Sequence, residues 1–290
     1  MKVLLTGAGG QVGRALRALA PPAAVVSALT HADLDITDAQ QVRRAVAAEA
    51  PQWIVNAAAF TAVDAAENAR AAAHALNATA VGYLAQAARS TDARLLQLST
   101  DFVFDGRGSN PYEPDAATAP LGAYGATKLA GERQALADGA PAIVMRTSWV
   151  YAAYGQNFVR TMLRLMAAKP ELRVVCDQIG SPTWATSLAQ VLWRMIELDA
   201  AAGIYHWCDA GVASWYDFAI AIQEEALQRG LLTQAITVLP IRTAQYPTPA
   251  QRPAYSVLDT ARTRALTGAA AAHWRTHLRS MLDELVAGTK

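Results

Sequence analysis

The stretch that decides the fold is residues 1–13, which read MKVLLTGAGGQVG. Residues 3–5 form a short apolar run that predicts a strand, and residues 12–20 predict a helix that ends before two prolines. The loop between this strand and this helix contains Gly7, Gly10 and Gly13, and two residues separate each glycine from the next. A glycine loop between a strand and a helix is typical of proteins that bind the diphosphate of a dinucleotide.

Each glycine of this loop has its own physical reason. Gly7 allows a turn closed to other residues, Gly10 lets the backbone approach a diphosphate, and Gly13 lets the helix pack closely on the strand. The first turn of the helix adds free N–H groups and positive potential. The predicted cofactor-binding residues of the loop are therefore Gly7, Gly10, Gln11, Val12 and Gly13.

The first half of the chain continues to alternate strands with helices. Further strands are predicted at residues 24–26, 53–55, 95–98 and 142–145, and Asp38 is placed to cap a helix that runs to Glu49. This alternation predicts an α/β fold with a Rossmann-type doubly wound parallel sheet. Such a sheet binds its ligand at the carboxyl ends of its strands.

The second half has a less regular pattern, broken by glycines and by a proline-rich stretch at residues 240–253. We therefore predict a dinucleotide-binding domain at residues 1–150 and a smaller, partly discontinuous C-terminal substrate domain at residues 151–290. This prediction leaves open that segments beyond residue 150 belong to the first domain.

Two further segments are predicted to contact the cofactor. The small residues Ala57, Ala58 and Ala59 follow the third strand and let the backbone lie flat against a dinucleotide. Asp35 and Ile36 follow the second strand, where Asp35 is placed to reach the adenine amino group. No acidic residue stands directly at the end of that strand to bind the ribose diol, so the sequence leaves NADPH and NADH both open.

A catalytic set is predicted around Tyr124 and Lys128, which are four residues apart on a helix and so share one face. A nearby ammonium is expected to lower the pKa of the Tyr124 phenol, which then donates a proton to a carbonyl oxygen under hydride attack. Tyr124 and Lys128 are also predicted to contact the cofactor, and Lys128 is placed to bind the nicotinamide ribose. Thr100 follows the fourth strand and is predicted, ahead of Ser99, to polarise the carbonyl.

Composition limits the other classes of function. Hydrophobic residues make up 53% of the 290 residues, and the net charge is +1, so no bulk attraction to nucleic acid is expected. The sequence shows no secretory signal and no apolar stretch long enough for a membrane span, which predicts a cytoplasmic protein. Cys176 and Cys208 lack the spacing of a metal site, and no metal is predicted.

These residues resemble extended short-chain dehydrogenases, and within them the dTDP-4-dehydrorhamnose reductase family. The resemblance runs from Met1 to about Leu258 and rests on TGAGGQVG, NAAAFTAVDAAE, STDFVFDG, YGATKLAGE, RTSWVY, QNFVRTML, VVCDQIGSPT and RPAYSVLD. It implies reduction of the C4 keto group of dTDP-4-dehydro-L-rhamnose, the last step in making dTDP-L-rhamnose for cell-surface polysaccharide. It also implies a nucleotide-sugar partner, and the chain is expected to be a monomer or homodimer.

The resemblance implies roles for individual residues. Thr100, Tyr124 and Lys128 match the catalytic trio. The residues that match substrate-binding positions are Asp101 and Trp149 near the sugar, and Asn157 and Arg252 near the diphosphate. Two positions depart from the family pattern. Phe102 stands where the family usually has Tyr, and Ala15 stands where some members carry a Glu for a magnesium-bridged dimer, which argues against such a dimer here.

Four other functions of the same fold remain open. A nucleotide-sugar dehydratase needs an additional acid after Thr-Asp, where this chain has Phe102. A 4-epimerase or another nucleotide-sugar reductase would share the catalytic set, although epimerases usually carry a Ser-Ser and VYG pattern. A non-catalytic regulatory subunit resembles the same reductases, and an assay of cofactor oxidation separates it from them.

Overall fold

The computed structural model describes residues 1–137 and 141–288. Its strands are β1 (Lys2–Thr6), β2 (Val25–Leu29), β3 (Trp53–Asn56), β4 (Arg94–Thr100), β5 (Ala142–Thr147), β6 (Val150–Tyr151), β7 (Glu171–Val175), β8 (Ile179–Gly180), β9 (Thr183–Trp184), β10 (Gly203–His206), β11 (Ala213–Ser214) and β12 (Thr237–Ile241). Its α-helices are α1 (Gln11–Ala18), α2 (Ala39–Glu49), α3 (Val63–Asn68), α4 (Arg70–His74), α5 (Ala80–Ser90), α6 (Ala123–Leu136), α7 (Phe158–Ala168), α8 (Ala185–Glu197), α9 (Trp215–Gln228), α10 (Ala261–Thr267) and α11 (Trp274–Gly288). A π-helical turn (Ala75–Thr79) joins α4 to α5, and two short 3-10 helices lie at Asp101–Val103 and Thr243–Gln245.

The main sheet has six strands in the order β2-β1-β3-β4-β5-β10, and every neighbouring pair is parallel. The chain leaves β1 for β2 on one side and then crosses to β3 on the other, so the strand order reverses between β1 and β3. A reversal of this kind opens a crevice at the carboxyl ends of the strands, where α/β proteins bind their ligands.

Helices cover both faces of this sheet because successive side chains of a buried strand point to opposite faces. Leu4 packs with Val42 of α2 and Leu84 of α5 on one face. Its neighbours in β1 pack with Leu16 of α1 and Leu188 of α8 on the other face. The predicted doubly wound α/β fold is confirmed.

The sheet uses residues from both sides of position 150. Strand β10 pairs in parallel with β5, and its residue Tyr205 lies opposite Met145. Helix α8 lies against α1, where the indole Nε1 of Trp193 donates a hydrogen bond to the carbonyl of Leu16 at 2.9 Å. This part of the second half therefore belongs to the layer that carries the glycine loop.

A second apolar core is formed by residues beyond position 150. Helices α7, α9 and α11 and the pair β7–β12 meet around Phe218, Ile222 and Leu278. This core supports the segments that face the carboxyl edge of the main sheet. Among the described helices, none has both the length and the apolar character needed to cross a bilayer.

Local boundaries differ from the sequence expectation at several elements. Strands β3, β4 and β5 each extend beyond their predicted residues 53–55, 95–98 and 142–145, so Thr100 is the last residue of β4. The second strand begins at Val25 and continues to Leu29, beyond the apolar residues 24–26, because it pairs with all of β1. Helix α1 ends at Ala18, two residues earlier than expected. The predicted cap of α2 is confirmed, since the Asp38 carboxylate accepts hydrogen bonds from the backbone N–H groups of Gln40 and Gln41.

Candidate active site

The glycine loop lies tightly against the end of β3. Gly7 has a φ of +70°, and a Cβ added there would lie 2.4 Å from the backbone nitrogen of Ala58 and 2.5 Å from the carbonyl carbon of Ala57. A Cβ on Gly13 would lie 2.2 Å from the Gly7 carbonyl oxygen. Only glycine therefore fits at both positions, as the sequence predicted.

A cavity of about 330 Å³ opens beside this loop at the carboxyl ends of β1 and β3. It is lined by Gly7, Gly9, Gly10, Thr30, His31, Leu34, Ile36, Ala57, Ala58, Ala59 and Leu76. Glycines of the loop and the three alanines after β3 are among its lining residues. Helix α1 begins beside the cavity, so the positive end of a helix and its free backbone N–H groups lie at its edge. These features fit the diphosphate and the adenosine half of a nicotinamide dinucleotide.

Six of the predicted cofactor residues do not line this cavity: Gln11, Val12, Gly13, Asp35, Tyr124 and Lys128. Gly13 packs against Gly7, and Val12 packs against the apolar core beneath the sheet. The Gln11 amide oxygen accepts a hydrogen bond from Asn157 at 2.9 Å. The Asp35 carboxylate accepts hydrogen bonds from the backbone and hydroxyl of Thr37, which lower its pKa. Direct contact of these residues with a cofactor stays a prediction, whereas the packing of Gly13 against Gly7 within the loop is visible.

Replacing Gly7 with Ala is expected to weaken NADPH binding by at least about tenfold, because the added methyl group displaces the loop or the end of β3. Fluorescence titration of the folded protein with NADPH measures this change. Gly230→Ala is the matched control: Gly230 has a φ of +69°, but nothing lies within 4 Å of the added Cβ. Equal NADPH affinities for the two variants would show that the close approach at Gly7 is unimportant.

A chain of buried polar side chains connects three strand ends beneath the cavity. The Thr6 hydroxyl donates to Asn56 Oδ1 at 2.6 Å, and Asn56 Nδ2 donates to Gln97 Oε1 at 2.7 Å. Gln97 Nε2 then donates to the carbonyl of Leu98 at 2.6 Å. These bonds satisfy polar groups that would be costly if left unpaired, and they hold the strand ends that carry the site in register.

Tyr124 and Lys128 lie on the first two turns of α6, beside the end of β4. The Lys128 ammonium is buried and donates a hydrogen bond to the Leu98 carbonyl at 2.6 Å. Burial lowers the pKa of Lys128 to about 8, although the Glu132 carboxylate partly offsets this effect. The lysine is therefore tied to the same carbonyl that ends the polar chain beneath the cavity.

The predicted lowering of the Tyr124 pKa by Lys128 is wrong for this structure. Burial raises the pKa of the Tyr124 phenol to about 12, and the negative charge of Asp101 adds to this rise. Hydrogen bonding to Thr100 lowers it only in part. The Lys128 ammonium is directed at the Leu98 carbonyl, so the loss of water around the phenol prevails.

Thr100 and Asp101 begin the 3-10 helix that follows β4. The Thr100 hydroxyl caps this helix by accepting from the backbone N–H of Phe102 at 3.2 Å. It donates to the Asp101 carboxylate at 3.0 Å. Phe102 packs the edge of its ring against the ring of Tyr124 with 5.6 Å between centroids, so a hydroxyl is not needed there to hold Tyr124. The structure thus brings Thr100, Asp101 and Tyr124 together.

Trp149 lies in a strained turn after β5 at the same edge. Its φ is +46°, a left-handed conformation that costs a non-glycine residue about 1–2 kcal/mol. Its indole ring is stacked on Trp215 at the start of α9, with 3.5 Å between centroids and 5° between ring planes. Gly180 leaves room for the Trp149 ring, since a Cβ there would lie 2.6 Å from it.

A second cavity of about 350 Å³ begins beside this pair of tryptophans. Its lining combines apolar residues of α7 and β7 with Trp215, Gln178, Tyr246, Thr248 and Arg252. The Arg252 guanidinium pairs with Asp64 at 2.8 Å, and this contact lowers the pKa of the Asp64 carboxyl. Arg252 therefore stands at the edge of the cavity with its fork already oriented.

Asn157 has a structural task that the resemblance did not imply. Its side chain caps α7 by accepting from the backbone N–H of Arg160 at 3.0 Å. Its amide nitrogen donates to Gln11 and to the carbonyl of Ala152. Asn157 thereby ties α7 to the first turn of α1, and a contact with the substrate diphosphate stays a prediction.

A fully buried ion pair lies behind the catalytic helix. Glu132, one turn after Lys128, pairs with Arg146 of β5 at 2.7 Å, and both side chains are 2% exposed. The same carboxylate accepts from the Ser99 hydroxyl at 2.5 Å. Arg146 also donates to the carbonyl of Pro114 at 3.1 Å. The pair locks α6 onto the strand ends that carry the site.

Ala15 is buried in the apolar core between α1 and α8. Within residues 1–137 and 141–288 there is no group of three or more His, Cys, Asp or Glu side chains that could hold a metal ion.

The sequence and the fold agree with one family of known proteins. The profile of the RmlD substrate binding domain matches residues 1–287. The chain belongs to this family. A relative from Aggregatibacter actinomycetemcomitans, named dTDP-4-dehydrorhamnose reductase, is 41% identical over 287 residues, which cover 97% of this chain and 98% of that protein.

Two solved structures extend the likeness to three dimensions. A dTDP-4-dehydrorhamnose reductase from Clostridium acetobutylicum matches with a TM-score of 0.92 at 37% identity and covers 98% of this chain and 99% of that chain. One from Bacillus anthracis, solved in complex with NADP, matches with a TM-score of 0.91 at 34% identity over the same shares of both chains. The family resemblance inferred from the sequence motifs is confirmed.

The structure adds residues that the sequence did not indicate for this RmlD family member. Trp215 stacks on Trp149, Asp64 orients Arg252, and Glu132 pairs with Arg146. Of these residues, only Glu132 could have been inferred from the sequence, because it stands four residues after Lys128 and so lies on the same side of the helix. The other contacts join residues far apart in sequence.

Proposed function

We propose that this chain uses NADPH or NADH to reduce the C4 keto group of dTDP-4-dehydro-L-rhamnose, giving dTDP-L-rhamnose in the last step of its synthesis. The observation that carries the proposal is the placement of Tyr124 and Lys128 one turn apart on α6, with Thr100 hydrogen-bonded to Tyr124, at the sheet edge where the cavity beside the glycine loop opens. The family relatives named above support the dTDP sugar as substrate.

The residues of the site suit a reduction. A bound reduced nicotinamide supplies the hydride. With its pKa raised to about 12, Tyr124 is a neutral phenol throughout the neutral range and is ready to donate its proton to the O4 oxygen. Lys128 is proposed to add positive charge to this buried site, where the exclusion of water strengthens its effect on a developing oxyanion.

The second cavity is proposed to hold the nucleotide of the substrate. Aromatic rings and apolar side chains give its floor the character needed by a nucleotide base, and Arg252 at its edge suits the diphosphate. Trp149 stacks on Trp215, which lines this cavity, and its ring is proposed to contact the sugar. Asp101 and Asn157 complete the substrate-binding residues that the resemblance implied.

The end of β2 is the part of the cavity that bears on cofactor preference. Thr30 and His31 line the cavity there, and the Asp33 carboxylate beside them accepts a hydrogen bond from the Thr30 hydroxyl at 2.7 Å. We propose that NADPH and NADH are both accepted, and that the protein works in the cytoplasm as a monomer or homodimer. The boundary at residue 150 between a dinucleotide domain and a substrate domain also stays a proposal.

The rate of reduction is expected to fall as the pH rises through about 8, because Lys128 loses its positive charge there. The sign follows from burial: burial disfavours the ammonium, so the neutral amine forms well below the ordinary lysine pKa of about 10.4. The profile of kcat/KM from roughly pH 6 to 10 measures this decline. A flat profile in a protein that stays folded over the range would contradict the role of Lys128.

The experiment that tests the proposed function follows the absorbance of NADPH, and separately of NADH, after addition of dTDP-4-dehydro-L-rhamnose. Consumption of one cofactor for each dTDP-L-rhamnose formed supports the reductase. Conversion of a nucleotide sugar without net cofactor consumption would instead show an epimerase. No conversion by a folded protein that binds NADPH would favour another nucleotide-sugar substrate or a regulatory subunit.

A further inference from the structure

The Thr100 hydroxyl stands between two titratable side chains. It donates to Asp101 Oδ1 at 3.0 Å and is also hydrogen-bonded to the Tyr124 phenol. A hydroxyl has a single proton, so Thr100 cannot donate to Asp101 and to another oxygen at the same time. The protonation state of Asp101 therefore decides in which direction the Thr100 proton points.

The Asp101 carboxyl is buried, which disfavours a permanent negative charge on it. It is 2% exposed, and its Oδ2 makes no hydrogen bond of good geometry with any described residue. Burial raises the pKa of the Asp101 carboxyl to about 6, although hydroxyls of Ser256 and Thr100 lower it in part. With this pKa the carboxyl is about half protonated at pH 6, so it can both hold and release a proton there.

The ionisable groups that face Asp101 do not neutralise it. Tyr124 of α6 and Cys208, which follows β10, both act on it as neutral groups, since burial raises each of their pKa values to about 12. Ser256 approaches from the C-terminal segment and offers only a hydroxyl. A protonated Asp101 would donate to Thr100 and release the Thr100 proton toward Tyr124.

We propose that Asp101 is a positioning residue that stores a proton and returns it to Tyr124 through the Thr100 hydroxyl after each reduction. This inference rests on the proposed reductase function. It gives Asp101 a role different from the sugar contact that its motif implied, and it gives Thr100 a second task besides polarising the carbonyl.

The proton movements balance as follows. Tyr124 gives its phenolic proton to the O4 oxygen of the sugar as the hydride from the reduced nicotinamide forms the C4–H bond. The phenolate takes the Thr100 hydroxyl proton, and Thr100 takes the proton of the Asp101 carboxyl. Asp101 is left as a carboxylate and regains a proton from water when the product leaves, which restores the starting state.

Asp101→Asn tests the relay, because the amide keeps the size and the acceptor for Thr100 but cannot release a proton. Tyr124 still holds its own proton in this variant, so the first turnover, measured by stopped flow, is expected to lose much less rate than the later turnovers. Steady-state turnover is expected to fall on the order of tenfold or more, which leaves a burst of one NADPH oxidised per site.

Two results would overturn the relay. Steady-state turnover of Asp101→Asn equal to wild type would show that Tyr124 regains its proton by another route. An equal loss in the first and later turnovers would show that Asp101 only shapes the site. Failure of the wild-type protein to oxidise NADPH with the substrate would overturn the proposed function itself, so the two failures are distinguishable.

A second readout needs neither cofactor nor substrate. Carbon NMR of the protein with labelled aspartate carboxyls identifies the Asp101 signal as the one that Asp101→Asn removes. The relay expects this signal to titrate near pH 6, where burial places its pKa. A midpoint below about 4, the ordinary range of an aspartate, would leave no proton to store and would contradict the proposal.

Variants at Thr100 keep the proposal testable if Asp101→Asn does not fold. Thr100→Ser keeps the hydroxyl and is expected to keep the wild-type ratio of first-turnover to steady-state rates. Thr100→Val removes the hydroxyl, and this ratio is expected to rise on the order of tenfold, in addition to any loss in the first turnover. Equal ratios of first-turnover to steady-state rate in the two variants would contradict the relay.

Discussion

Replacing Tyr124 with Phe is expected to lower kcat by about 10²–10⁴-fold, because the phenol is the group that gives a proton to the sugar oxygen. The change removes a single oxygen and keeps the ring that packs against Phe102. NADPH affinity is expected to stay within about twofold of wild type, since the cavity beside the glycine loop is not altered. Steady-state kinetics and a separate binding titration measure the two quantities.

Tyr205→Phe is the matched control for this prediction. The Tyr205 hydroxyl donates to the carbonyl of Ala201 at the far end of β10, away from the catalytic helix. Its loss is expected to leave kcat within about twofold of wild type. Near wild-type turnover by Tyr124→Phe would show that another group protonates the substrate and that the proposed mechanism is wrong.

Glu132→Ala is expected to lower the free energy of unfolding by about 3–5 kcal/mol, because it leaves the Arg146 guanidinium buried without its partner. That loss is a large part of the roughly 5–15 kcal/mol that stabilises a typical protein. The Ser99 hydroxyl also loses its acceptor. Unfolding in urea, followed by circular dichroism, measures the change.

Glu197→Ala serves as the comparison for the buried pair. Glu197 pairs with Arg194 at 3.4 Å on the exposed side of α8, where the two side chains are 43% and 51% exposed. An exposed pair of this kind contributes about 0–1 kcal/mol. If the two alanine variants lost the same small amount of stability, the buried ion pair would not be the element that locks α6 to β5.

The first half of the fold was predictable from local signals. The glycine loop, the apolar runs of β1, β3, β4 and β5 and the capping residue Asp38 each act within a few residues, so the sequence shows them directly. Strand β10 was missed as a member of the sheet. Its four residues, Gly-Ile-Tyr-His, are too short to show a period, and only pairing with β5 makes them a strand.

The placement of Tyr124 and Lys128 on one face of α6 was predictable, because residues four apart on a helix lie on the same side. The pKa of Tyr124 was not, since it depends on which partner Lys128 takes and on how much water the folded chain excludes. The substrate side was the least visible in the sequence. Arg252 pairs with Asp64, which is 188 residues away in sequence, so no local sequence pattern predicts this contact.

The most direct test of the central claim uses NADPH that carries deuterium at its transferable position. The protein is mixed with this cofactor and dTDP-4-dehydro-L-rhamnose, and the product is examined by NMR and mass spectrometry. The account predicts dTDP-L-rhamnose with one deuterium at C4 and an equal amount of oxidised cofactor. A converted sugar without deuterium at C4, or no conversion by a folded protein that binds NADPH, would contradict it.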